Sequence, residues 1–152
     1  MVHIGETLEV LKLEKVGFTA WPDWLAQFEH LNDLDLADNA ISSIPDNAFD
    51  TFYNLMTLTL SGNNFTAVPK ALAKLTNLTT LNLENNNISN ITWLPQSSKL
   101  TSLSLDSNRI SDAEHLSNVL RTYADSLNSL ALPFNQLKAI PRSVVRGRLL
   151  VL

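Results

Sequence analysis

Aspartates, histidines and asparagines are the residues of this chain whose types and spacing bear on chemistry. Asp33, Asp35 and Asp38 begin like the oxygen-ligand series of a calcium loop. Such a loop needs a further ligand and then a glycine near its sixth place, where this sequence has Ala37 and Asp38. The aspartates are therefore read as a solvated acidic face. His3, His30 and His115 are far apart, and none adjoins a plausible nucleophile. Glu114-His115 is not followed by the second histidine of a zinc-peptidase helix. Gly5, Gly17, Gly62 and Gly147 form neither a phosphate loop nor a dinucleotide fingerprint. Cysteine is absent, which excludes disulfides, thiolate metal sites and a cysteine nucleophile. No catalytic residue, metal ligand or cofactor is assigned. Asn64, Asn77, Asn87 and Asn90 each open an Asn-x-Ser/Thr triplet, the acceptor sequence for an N-linked glycan in a secreted protein.

The elements that position these residues follow from a repeat. Residues 78–88 read L-T-T-L-N-L-E-N-N-N-I, with leucines at the first, fourth and sixth places, Asn86 at the ninth and Ile88 at the eleventh. The same pattern returns as Leu31, Leu34, Leu36, Asn39, Ile41 and as Leu55, Leu58, Leu60, Asn63, Phe65. It recurs again as Leu100, Leu103, Leu105, Asn108, Ile110 and as Leu127, Leu130, Leu132, Asn135, Leu137. A divergent copy comes first: Leu8, Leu11, Leu13, Val16 and Phe18, with valine in the asparagine place. Units start near 8, 31, 55, 78, 100 and 127, and a truncated seventh starts from about 149, where Leu149 and Leu152 match the first and fourth places. A period in this range marks a solenoid.

On these residues the chain resembles the leucine-rich repeat family, over nearly its whole length. Ile44-Pro45 with Phe49 and Phe52, Val68-Pro69 with Leu72 and Leu75, and Ile140-Pro141 make the second half of each unit similar to the typical class of about 24 residues, common in animal extracellular proteins. No unit carries the Gly-x-Ile-Pro signature of the plant class. The resemblance implies an α/β solenoid over residues 1–152: a curved arc with a parallel concave sheet, and short helices, turns and loops on the convex side. It also implies a ladder of Asn39, Asn63, Asn86, Asn108 and Asn135 pointing inward to hydrogen-bond the backbone of adjacent turns. Asn85, one place earlier and outward-facing, is expected to tolerate alanine.

Within each unit the L-x-x-L-x-L stretch alternates as a half-buried strand does, so the intervening side chains face the concave surface. Across the units these are Val10 and Lys12, Asp33 and Asp35, Thr57 and Thr59, Thr80 and Asn82, Ser102 and Ser104, and Ser129 and Ala131. Glu14, Asp38, Ser61, Glu84, Asp106 and Phe134 are placed on its flank. Of these, Asp33, Asp35, Asp38, Thr57, Thr59, Thr80, Asn82, Ser102, Ser104 and Asp106 are the binding candidates. On the convex side, Trp21, Trp24 and Phe28 read as core filler, and residues 71–75 as a helical turn. Leu116, Val119, Leu120 and Tyr123 recur at helical spacing behind a cap at Ser111 or Asp112, the one convincing helix. Residues 94–98 are short and proline-broken.

No apolar run reaches the length of a membrane span, and Glu6, Glu9, Lys12 and Glu14 interrupt any signal-peptide core. Residues 1–98 carry 4 basic and 11 acidic side chains, residues 99–152 carry 7 and 4. The basic run Lys138, Arg142, Arg146 and Arg148 lacks the continuous face and stacking aromatics of a nucleic-acid binder, so no nucleic-acid partner is assigned. The expected function is non-catalytic recognition of another protein, as an arc of a larger receptor, matrix or immune-type protein that is extracellular or secreted. The alternatives are an accessory subunit of an enzyme and a cytoplasmic scaffold, the latter favoured by the missing cysteine caps. The apolar end at residues 149–152 reads as an uncapped edge, hence as a piece of a longer protein.

Overall fold

The computed structural model describes residues 4–145 and 150–151. Three-residue strands recur at the predicted places: β1 (Val10–Lys12), β2 (Asp33–Asp35), β3 (Thr57–Thr59), β4 (Thr80–Asn82), β5 (Ser102–Ser104) and β6 (Ser129–Ala131), followed by the two-residue β7 (Leu150–Val151). All seven lie parallel, in chain order, in one sheet. The fourth-place residues Leu11, Leu34, Leu58, Leu81, Leu103 and Leu130 stand opposite one another. From β2 to β6 that leucine is buried between two half-exposed neighbours. Six inter-strand gaps at about 4.8 Å give a sheet about 29 Å long, one gap more than the six sequence units imply. The convex segments are wider than the strands, so the stack bends into an arc with the sheet on its concave side.

The seventh strand is displaced from its sequence reading. Leu130 pairs with Val151 and Ser129 with Leu150, which puts Val151 in the fourth place where Leu152 was expected. The alignment is thus one residue earlier, and a slip of one residue exchanges the two faces of a strand. Leu149 and Leu152 themselves lie outside the described residues.

Convex segments follow their local sequence. A 3-10 turn spans Asp23–Gln27 and another Lys70–Lys74. The helix α1 covers Ala113–Leu120 and runs into a 3-10 turn at Arg121–Tyr123; a second short helix, α2, covers Arg142–Val145. Asp112 rather than Ser111 caps α1, its Oδ1 accepting from the His115 amide at 2.8 Å. Residues 91–98 carry no helix; here the buried Ser97 hydroxyl donates to the Leu78 carbonyl at 2.6 Å and stands in for backbone pairing. The aromatic filler divides. Trp21 is buried, edge-on to Phe49 at 5.1 Å, whereas Trp24, in the first described coil, is 46% exposed. Ile140 departs from its counterparts in the same way: it is 65% exposed, against 8% for Ile44 and 5% for Val68.

Tyr123, spaced with the α1 face, is buried and its hydroxyl donates to the Pro95 carbonyl, tying two convex segments together. Burial pushes its pKa up to about 12, because the phenolate loses more by desolvation than the phenol. The raised folded value means that this contribution to stability is complete below the ordinary tyrosine pKa near 10 and is lost as pH climbs from there through about 12. Urea midpoints measured across alkaline pH are expected to fall over that window in the wild type and less steeply in Tyr123→Phe.

A second periodicity lies in the backbone. Lys15, Asp38, Gly62, Asn85, Ser107 and Phe134 all have φ between 52° and 64°. They occupy the eighth place of the six units, just before the ladder position. Each turns the chain out of its strand, and only glycine adopts this conformation freely while asparagine and aspartate tolerate it. At Gly62 a methyl group would stand 2.0 Å from Asp38 Oδ1 and 3.2 Å from its Cα. Gly62→Ala is therefore expected to cost about 1–2 kcal/mol, read as a lowered urea midpoint. Asn85 has φ of 52°, so its tolerance of alanine is overturned: the residue faces solvent, but its backbone favours asparagine or glycine.

Candidate binding face

The strand register places the sequence-selected side chains in rows. Asp33, Thr57, Thr80 and Ser102 form one row, Asp35, Thr59, Asn82 and Ser104 the next, and all eight are half-exposed. Not every member is free to meet a ligand. Asp35 Oδ1 accepts from the Ala37 amide and Asn82 Oδ1 from the Glu84 amide, each at 2.9 Å. These are Asx turns, in which a short polar side chain bonds the backbone two residues on. The pattern was available in the sequence, since both residues close a strand and precede a sharp turn. Ser104 donates to Asp106 Oδ1 at 2.6 Å, pairing two candidates with each other. Asp33, Thr57, Thr59, Thr80 and Ser102 are left as the outward-looking set.

Asp38 and Phe134 do not share the flank position of Ser61, Glu84 and Asp106. They stand one place later, in the left-handed row, and their units carry Ala37 and Pro133 at the flank. The Asp38 carboxylate reaches Lys15 Nζ at 3.5 Å, and Glu14 holds the same ammonium at 3.1 Å. The Lys15 pKa is raised, first by the hydrogen bond and charge of Glu14 and then by Asp38. Phe134 is 84% exposed, the most exposed of the large apolar side chains described.

The five asparagines of the ladder repeat one geometry. Each Oδ1 accepts a backbone amide of the preceding coil: Gly17 and Phe18 for Asn39, then Ile41 for Asn63, Phe65 for Asn86, Ile88 for Asn108 and Ile110 for Asn135, at 2.9–3.0 Å. Each Nδ2 donates to the sixth-place carbonyl of the preceding coil (Leu13, Leu36, Leu60, Leu83 or Leu105) and to carbonyls of its own. Asn63, Asn86 and Asn108 are buried, whereas Asn39 and Asn135 nearer the ends are half-buried. Val16, in the same place of the first coil, is 54% exposed.

The glycan-acceptor asparagines differ in their surroundings. Asn64 and Asn90 are exposed and Asn87 is half-exposed. Asn77 is engaged at both ends of its amide, donating to the Tyr53 carbonyl at 2.9 Å and accepting from Lys99 Nζ at 2.8 Å. Among the described residues there is no group of His, Cys, Asp or Glu that could hold a metal ion. No described helix is long and apolar enough to cross a membrane.

Comparison with known proteins bears on this geometry directly. The family model described as leucine rich repeat matches residues 6–65, 29–88 and 53–110. The chain belongs to the leucine-rich repeat family. No curated protein sequence matches it. Among solved structures, a similar one is the leucine-rich repeat ectodomain of the plant membrane receptor kinase GASSHO1/SCHENGEN3 from Arabidopsis thaliana, in complex with CASPARIAN STRIP INTEGRITY FACTOR 2. The likeness covers 95% of this chain at a TM-score of 0.67 and 27% identity. The chain spans 18% of the length of that ectodomain. That neighbour is a plant protein although no unit here carries the Gly-x-Ile-Pro signature.

Proposed function

We propose that this leucine-rich repeat arc recognises another protein through its concave face, without catalysis, as part of an extracellular or secreted protein. The observation that carries the reading is the pair of in-register polar rows on the sheet. The core needs the buried leucines between them, but it does not need Thr57, Thr59, Thr80 or Ser102, whose half-exposed side chains are held in line by the strands beneath. Rigidly spaced small polar groups suit an extended partner surface, and a sheet pays little ordering entropy on contact. The solved neighbour supports the reading as a receptor ectodomain captured with a bound factor, and the exposed Asn64 and Asn90 support the extracellular setting as accessible acceptor sites.

The test is a binding screen against secreted proteins, followed by two sets of substitutions. A hit lost with Thr57→Arg, Thr80→Arg and Ser102→Arg together, yet retained with Ala73→Arg on the convex side, places the contact on the concave face. Hits that ignore the concave arginines and respond to the convex one would overturn the assignment.

A further inference from the structure

A groove of about 470 Å³ runs along the leading edge of the sheet, lined by Asn32, Asn54, Met56, Asn77, Thr79 and Lys99. Asn32, Met56 and Thr79 immediately precede β2, β3 and β4, while Asn54, Asn77 and Lys99 stand three residues before β3, β4 and β5. Each of these strands is flanked by another on both sides, so the groove is internal to the arc. Its volume falls in the range of small-ligand sites. The lining mixes three carboxamides, a hydroxyl and an ammonium, with no carboxylate, around a methionine that is 46% exposed.

The acceptor triplet Asn77-Leu78-Thr79 is built into this lining. Asn77 and Thr79 border the groove, and Leu78 between them is fully buried. The Asn77 amide is held in one sense. Lys99 Nζ can only donate, so Oδ1 faces it at 2.8 Å; the Tyr53 carbonyl can only accept, so Nδ2 faces it at 2.9 Å. The nitrogen therefore lies on the side of the coil that supplies Asn54 and Met56. A sugar attached to Nδ2 leaves one N–H for the Tyr53 carbonyl. A pyranose offers hydroxyls and an apolar ring face. The Asn32 and Asn54 amides answer the first with donors and acceptors, and the thioether of Met56 answers the second. Asn64, Asn87 and Asn90 lie past the opposite ends of the strands and take no part in this lining.

We propose that Asn77 carries an N-linked glycan whose first N-acetylglucosamine lies in the groove against Asn54 and Met56, a modification that rests on the extracellular reading above. Attachment forms a bond from Nδ2 to the anomeric carbon of the sugar. It breaks that carbon's bond to the phosphate of a lipid-linked pyrophosphate donor and releases one amide proton. The packed sugar then borders the polar rows at Thr57 and Thr80 and bounds the binding face on that edge.

The test is to express the 152-residue chain behind a secretion leader and map each acceptor by mass spectrometry. Release of the Asn77 glycan by a peptide-N-glycosidase is then timed on the folded protein. The double variant Asn54→Ala, Met56→Ala is expected to release it about tenfold faster than wild type, because the packed sugar is reached only through local opening. Both of those side chains are exposed, so the unglycosylated double variant, made in bacteria, is expected to keep the wild-type urea midpoint. Asn77 left bare while another acceptor is occupied, or equal release from wild type and double variant, would overturn the proposal alone. A secreted, folded chain with no glycan at any of the four acceptors would overturn it together with the support that those acceptors lend to the extracellular reading.

Discussion

Phe52→Ala is expected to lower the unfolding free energy by about 3–5 kcal/mol, the range for emptying a buried aromatic site. Phe52 is 2% exposed and lies edge-on to Phe49 at 5.6 Å, which in turn meets Trp21 at 5.1 Å. The three rings cross the junction between the first two coils on the convex side, beside the 3-10 turn at Asp23–Gln27. In a solenoid each coil contacts only its neighbours, so the cavity weakens a junction rather than the whole core evenly. The matched control is Trp24→Ala. That ring also touches two others, Phe18 at 6.2 Å and Phe28 at 6.1 Å, yet it is 46% exposed and is expected to cost about 1 kcal/mol by its smaller buried area. Urea midpoints for the two variants separate the cases. Equal shifts would mean that burial is not concentrated in the Trp21–Phe49–Phe52 stack.

The arc was legible in the sequence because its signal is simple. A buried leucine every third or second residue, returning at a fixed period, admits one strand face and one stacking direction, and the observed register follows it from β1 to β6. Helix α1 was legible for the same reason, with Asp112 as a short polar cap before an apolar periodicity. The left-handed eighth place was hidden by its occupants. Gly62, Asn85 and Asp38 signal such a conformation, but Lys15, Ser107 and Phe134 do not, and no side-chain pattern joins the six.

The binding face was legible only in outline, because alternation tells which way a side chain leaves the strand and not what it then meets. Asp35 and Asn82 leave toward the concave face and bend back to the amides of Ala37 and Glu84. Asp38 was placed on the flank with Glu84 and Asp106 and belongs to the turn by its backbone. Ile140 matched Ile44 and Val68 in sequence, and its exposure depends on what stacks beyond it. The first three are local to the turn that closes each strand, whereas the exposure of Ile140 lies in contacts between coils, which a repeat template read one unit at a time does not contain.

The same contacts between coils set the second large effect. Asn86→Ala is expected to cost about 1–3 kcal/mol. It removes the acceptor for the Phe65 amide at 3.0 Å and, at 3.0 Å, one of the two donors to the Leu60 carbonyl, which keeps only Asn63 Nδ2 at 3.2 Å, all in a buried site. Asn86→Asp is expected to be worse at neutral pH. The carboxylate still accepts from Phe65, but its second oxygen faces the Leu60, Leu83 and Glu84 carbonyls that the amide nitrogen had satisfied, and burying that charge is unfavourable. Controls come from the neighbouring position. Asn85→Gly suits the left-handed backbone and is expected to be neutral within about 0.5 kcal/mol, whereas Asn85→Ala is expected to lose about 1 kcal/mol to backbone strain alone. Urea unfolding thus orders the midpoints Asn85→Gly, Asn85→Ala, Asn86→Ala, Asn86→Asp from highest to lowest. If Asn86→Ala unfolds no earlier than Asn85→Gly, the ladder bonds do not hold the coils together, and leucine packing alone supports the arc.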